Sequence, residues 1–221
     1  MSSIDPKRVE AIAFGRQIFN ETPVYSSAFI KSRISCSNCH LQGGVAPNAS
    51  PMVGAAQAFP TYSNRAGRQI TLEDRIQECM TRSENGMPLR PDGREMKALL
   101  AYINWLSEPH RDQEAFVGRG LPVLPEIRPD SAHGAVIYSF QCAGCHGVNG
   151  EGRRRPFPPL WGADSFNDGA GMDRIDKLAA FVRYNMPYDR KGTLSTQDAW
   201  DVAAYIHAQP RPAFNHDYDH F

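Results

Sequence analysis

No stretch of the chain approaches the roughly 20 consecutive apolar residues needed to cross a bilayer, and its 221 residues carry no net charge, with 24 basic against 24 acidic side chains. The first absence excludes a membrane-spanning helix. The second excludes a broad basic footprint for nucleic acid or anionic lipid, so any anion site must be local. Lysine is scarce, since 19 of the 24 basic residues are arginine. The first thirty residues also lack the apolar core of about 7–15 residues that a secretory signal carries; residues 11–14 are too short a run and Arg16 follows. A hydrophobic content of 41% and a mean hydropathy of −0.47 describe a soluble globular chain. Its length allows one large domain or two small ones.

Cysteines are few and odd in number, but four of the five fall into two copies of one motif, Cys36-Ser37-Asn38-Cys39-His40 and Cys142-Ala143-Gly144-Cys145-His146. Cys-x-x-Cys-His is the signature of covalent c-type haem attachment. Two thioethers grip one porphyrin and the adjacent histidine lies beneath its iron. A zinc site would bring both pairs together at closer spacing, and a redox dithiol would not require a histidine in each copy. The motif implies two covalently bound haems c, with Cys36, Cys39, Cys142 and Cys145 as attachment points and His40 and His146 as proximal ligands.

Two haems imply two folding units, and the chain repeats accordingly. Gly15, Ile18 and Phe19 recur as Gly134, Ile137 and Tyr138 upstream of each motif. Ala101-Tyr102-Ile103 recurs as Ala204-Tyr205-Ile206 downstream, each in a stretch with helical apolar spacing. The first closing helix should open near Asp92 and Gly93 and stop at Pro109; the second should open at Ser195 and stop at Pro210. This order of helix, haem motif, loops and closing helix resembles the class I cytochrome c fold. The expected architecture is mainly α, with two tandem class I cytochrome c domains: residues 1–115, a proline-containing linker over 116–130, and residues 131–221. Phe19 and Cys36 are 17 positions apart, whereas Tyr138 and Cys142 are only 4 apart. The first half therefore carries a 13-residue insertion, to be read as a surface loop or as a wall of a substrate site.

The sixth ligand of each iron separates electron carriage from chemistry. Asn185-Met186-Pro187 resembles the methionine-proline element that supplies a distal ligand, with Met172 as a second candidate. The first half has Gly86-Met87-Pro88, but also the leftover Cys79. A lone cysteine can be a small buried hydrophobe. A Cys79 thiolate among Arg65, Arg75 and Arg82 would instead have a depressed pKa and could bind iron, with the guanidinium groups holding anionic oxygens.

With the Arg65, Arg75, Cys79, Ser83 series and Asn185-Met186-Pro187, the chain resembles the dihaem thiosulfate dehydrogenases, periplasmic enzymes that join two thiosulfates into tetrathionate. The resemblance implies His40 and Cys79 as axial ligands of a catalytic first haem, and His146 with Met186 on a second haem that relays electrons to an external cytochrome. It implies a substrate pocket lined by Arg65, Arg75 and Ser83. At the position of an alternative second-haem ligand this chain has Met172 and no lysine. In the implied mechanism Cys79 forms a sulfur adduct with one thiosulfate and the second attacks it. Haem attachment outside the cytoplasmic membrane implies a periplasmic location. Two other readings stay open: a dihaem electron carrier with Met87 and Met186 as distal ligands, and a sulfur-oxidation cytochrome subunit that loads thiosulfate onto a carrier protein.

Other features read as structure. Residues 153–155, three arginines, suit a solvated loop or an acceptor-docking patch. Residues 156–161 should cover a haem face. The three tryptophans are core or haem-packing candidates, His207, His216 and His220 have no metal spacing, and residues 210–221 read as an irregular tail.

Overall fold

The computed structural model describes residues 5–110, 116–153 and 156–221. Its helices are α1 (Pro6–Asn20), α2 (Thr22–Tyr25), α3 (Cys36–Cys39), α4 (Leu41–Gly44), α5 (Leu72–Glu78), α6 (Arg94–Ser107), α7 (Ser131–Gln141), α8 (Ala143–His146), α9 (Ile175–Asn185) and α10 (Thr196–His207). One antiparallel hairpin, β1 (Thr61–Ser63) and β2 (Arg68–Ile70), precedes α5. The helix starts follow local chemistry. Asp5 and Asp130 cap α1 and α7 by accepting from backbone amides, and Thr71 and Ser195 form capping boxes with Asp74 and Asp198. The closing helices α6 and α10 begin and end where the sequence signals put them.

Each half is built on a helix crossing, α1 against α6 and α7 against α10. The repeated glycines explain both. A Cβ on Gly15 would lie 2.0 Å from the Ala98 carbonyl oxygen, and one on Gly134 would lie 2.0 Å from that of Asp201. The backbones meet where only hydrogen fits. Two apolar cores follow. One holds Ile18, Phe19, Met96, Leu99, Tyr102 and Ile103; the other holds Ile137, Tyr138, Trp161, Val202, Ala203 and Ile206. The repeat is also reflected in hydrogen bonding: Tyr102 Oη donates to Gly43 O and Tyr138 Oη to Gly147 O, each at 2.7 Å and each just beyond a Cys-x-x-Cys-His motif.

Three features differ from the simpler sequence reading. The insertion is not a free loop: Met87 N donates to Phe29 O, Lys31 N and Ser32 N to Glu84 O, and Arg33 N to Asp164 O. It thus packs along the Cys79–Glu84 segment and reaches the second half. Residues 210–221 are irregular but docked, with Phe214 buried and Phe214 N donating to Asp168 Oδ1 at 2.7 Å. Trp105 is 45% exposed and stacks on Tyr102, unlike the buried Trp161 and Trp200. Of the arginine triplet, Arg154 and Arg155 lie outside the described residues. No helix among the described residues is long and apolar enough to cross a membrane.

Candidate active site

The single turns α3 and α8 put both sulfurs and the histidine of each motif on adjacent positions of one coil. His40 N donates to Cys36 O and His146 N to Cys142 O, each at 2.9 Å. Reciprocal bonds between Ser35 and Asn38 fix the start of α3. His40 Nδ1 lies 2.6 Å from Ser50 O, and His146 Nδ1 lies 2.9 Å from Pro158 O. A neutral imidazole that donates from Nδ1 leaves the Nε2 lone pair free for a metal. Burial pushes His40 down to about 4, with Arg75 adding to the fall, and also lowers His146. Both rings are therefore neutral near pH 7, as a ligand must be. Through the Pro158 carbonyl, residues 156–161 orient the His146 ring.

None of the five cysteines forms a disulfide. Burial raises Cys39 and Cys142 to about 12 and also raises Cys36 well above its usual value, the reverse of a reactive redox pair. A cavity joins Cys36, Cys39 and His40 to Cys79, Arg75 and Ser83, with Leu72, Ile76, Leu99 and Ile103 as apolar walls. The donor set, the neutral proximal imidazole and the apolar walls all fit a haem c.

The Cys79 wall is a continuous surface. Helix α5 runs into a π-turn, Cys79–Ser83, so that Arg75, Cys79 and Ser83 recur at four-residue intervals and line the same cavity. The thiol itself departs from expectation. Burial raises the Cys79 pKa; Arg75 and Arg65 oppose the rise, while the carboxylates of Glu78 and Glu84 reinforce it. Two neighbouring acids thus offset the two arginines, a balance that the arginine-rich sequence does not suggest. Glu78 is 4% exposed and accepts from Arg75 Nη1 at 2.6 Å, which holds that guanidinium at the cavity rim. Glu84 is 1% exposed, 3.4 Å from Ser32 Oγ, and raised by burial to about 8. Arg82 does not join the thiol. Its guanidinium lies over the Phe214 ring, 3.9 Å from the centroid.

The second half closes this wall. Buried Asn167 donates to Thr81 O at 2.8 Å, its amide donates to Arg82 O, and Arg65 Nη1 donates to Gly169 O at 3.0 Å. The sequence offered no signal for Asn167 or Gly169, since their partners lie more than 80 positions away.

Among the methionines, Met186 packs between the second core and the patch formed by Leu41, Ala46, Ala49 and Phe181. Met172 packs on that patch and on Ile34, Phe166 and Ala170. Asn185 Nδ2 donates to Asn48 O at 2.8 Å, tying the Met186 segment to the loop that orients His40. Met87 is 43% exposed and does not line the haem cavity.

Residues 22–111 match the SoxA/TsdA cytochrome c domain, and residues 129–206 match the cytochrome c oxidase cbb3-type subunit III family. The chain is 41% identical to a thiosulfate dehydrogenase of Allochromatium vinosum, covering 93% of this chain and 80% of that one. The chain belongs to the thiosulfate dehydrogenase family. A second member, from Stutzerimonas stutzeri, is 40% identical over 92% of this chain and 68% of its own length. The solved thiosulfate dehydrogenase TsdBA of Marichromatium purpuratum superposes with a TM-score of 0.89 at 37% identity, over 96% of this chain. The present chain spans about half (48%) of that protein. Family membership makes the protein an oxidoreductase with two cytochrome c domains and two covalently bound haems c.

Proposed function

We propose that the protein oxidises two thiosulfates to tetrathionate on the Cys79 wall, working in the periplasm and passing electrons to an external cytochrome or similar redox protein. The observation that carries this reading is one cavity shared by His40 and Cys79, with Arg75 and Ser83 beside the thiol and Arg65, bonded to Gly169 O of the second half, acting on it electrostatically. His40 and Cys79 would hold the iron of the first haem. His146 and Met186 would hold that of the second, with Met172 as the alternative to Met186. The domain boundary falls within residues 116–130, where Ser50 N donates to Gly120 O and the indole of Trp200 to Pro125 O, bracing both halves.

When bound, the first haem would keep Cys79 as thiolate, and the two haems would supply a sink for two electrons, one each. The chain's own residues do the rest. Two thiosulfate dianions repel each other by about 332/(εr) kcal/mol per charge pair, which Arg65 and Arg75 offset while Ser83 donates to a sulfonate oxygen. Cys79 sulfur bonds to the outer sulfur of one thiosulfate with loss of two electrons, giving a Cys–S–S–SO₃⁻ adduct. The outer sulfur of the second thiosulfate attacks that sulfur, tetrathionate forms, and Cys79 leaves as thiolate. Tetrathionate reduction is the same sequence reversed. The cysteine position discriminates this reading from a plain electron carrier: the carrier needs Met87 at the first haem, yet Met87 lies outside the cavity. Cys79→Gly should abolish thiosulfate oxidation and change the electron paramagnetic signal of one haem only. A fully active variant would refute the proposal.

A further inference from the structure

Arg82 is 5% exposed, and its Nε and Nη2 have no hydrogen-bond partner. A buried guanidinium with two idle donors is costly unless something accepts from them. What surrounds it is specific. Phe214 stacks on one face, and Asp219 Oδ1 stands 3.5 Å from Nη2, too long for a hydrogen bond. Asp219 is itself 59% exposed and accepts from His216 Nδ1 at 2.8 Å. Gly169 makes the approach possible, because a Cβ there would come within 2.8 Å of Phe214 and 3.0 Å of Arg82 Nη1. Arg65 binds the Gly169 carbonyl oxygen and raises the cationic field at Arg82. The strap that carries Phe214 and Asp219 is held by Arg68 Nη2, which donates to His220 O at 3.0 Å.

We infer that Arg82 and Arg65 form a second anion subsite, for the sulfonate of the incoming thiosulfate, and that Asp219 of the C-terminal strap is the carboxylate this anion displaces. The inference rests on the function proposed above and extends it from one substrate position to two. A sulfonate presents three acceptor oxygens to a fork of donors, which a strained 3.5 Å carboxylate contact does not use. Around the subsite stand Arg65 and Arg82 against Glu78 and Asp219. The field is thus neutral with Asp219 in place and one charge positive when it swings away. This gives the second dianion an attraction that the first site, already filled, no longer provides.

Sulfate is the probe, as a tetrahedral dianion that cannot react. It is titrated calorimetrically into the dihaem protein, beside steady-state oxidation of thiosulfate with ferricyanide. Asp219→Asn should bind sulfate up to about fivefold more tightly, the factor an exposed ion pair contributes, and should lower KM for thiosulfate in parallel. Arg82→Gln should weaken both, and Arg82→Lys, which keeps the charge without the fork, should fall between. Unchanged sulfate affinity in Asp219→Asn overturns the subsite, and that surface variant decides alone should Arg82→Gln fail to fold. A wild-type protein that binds sulfate yet does not oxidise thiosulfate would overturn the proposed reaction and leave the subsite standing.

Discussion

Replacing Gly134 by alanine adds one methyl group at the α7–α10 crossing, and the geometry sets its cost. The new Cβ would lie 2.0 Å from Asp201 O, 2.4 Å from its carbonyl carbon and 3.0 Å from Val202 N. All three are backbone atoms, so no rotamer change can relieve the overlap. Ordinary contact begins near 3.4 Å, so the helices must part by more than about 1 Å at the point where Ile137 and Tyr138 meet Val202 and Ala203. Overpacking of this kind costs about 3 kcal/mol at the upper end, and the better helix propensity of alanine returns about 1. A net loss of about 2 kcal/mol in a chain of this size lowers the melting temperature by about 4–8 °C. The assay is thermal unfolding of the dihaem protein followed by circular dichroism. Gly171→Ala is the control, because nothing lies within 4 Å of a Cβ there. A Gly134→Ala protein that melts within a degree of wild type would refute the account of the crossing, and with it the reason the glycine recurs at position 15.

The His133–Asp201 pair, 2.8 Å apart, gives a pH dependence. Burial pushes Asp201 up, but hydrogen bonds from the Asp130 amide, His133 and Gln197 outweigh it and hold the carboxyl below its usual range; His133 is raised, chiefly by its hydrogen bond to Asp201. The histidine contribution is complete below about pH 6.5 and fades as pH rises through the higher folded value, while the Asp201 contribution is present above about pH 3.9 and fades as pH falls through the lower folded value. The urea midpoint of wild type minus that of His133→Gln should therefore be largest in between and shrink on the alkaline side; a constant difference would contradict the assignment. At the haems, Met186→Ala should remove the long-wavelength sulfur-to-iron band of the oxidised protein, whereas Met87→Ala should leave it unchanged; loss of the band in Met87→Ala would restore the carrier reading.

Much of the fold was legible because its determinants are short-range. Haem attachment is a five-residue covalent pattern, capping boxes act over three residues, and the glycine and Ala-Tyr-Ile repeats mark the two helix crossings directly. The mainly helical pair of cytochrome c domains followed from these. Arg75, Cys79 and Ser83 were legible for the same reason, since a four-residue interval is one turn.

Other properties depended on partners distant in the chain. The thiol at Cys79 rises rather than falls because burial and two carboxylates, Glu78 and Glu84, outweigh the two arginines, and burial is a tertiary quantity. Arg82, on the same turn as Cys79, is turned by Phe214 from 132 positions away. The insertion reads as loop in composition and is docked only through its bonds to Glu84 and Asp164. Zero net charge required any anion site to be local, and the sequence alone placed candidate arginines near Cys79. Only the folded chain decided which arginines face the thiol and which turns to the strap, because orientation is set by packing between halves that local spacing does not encode.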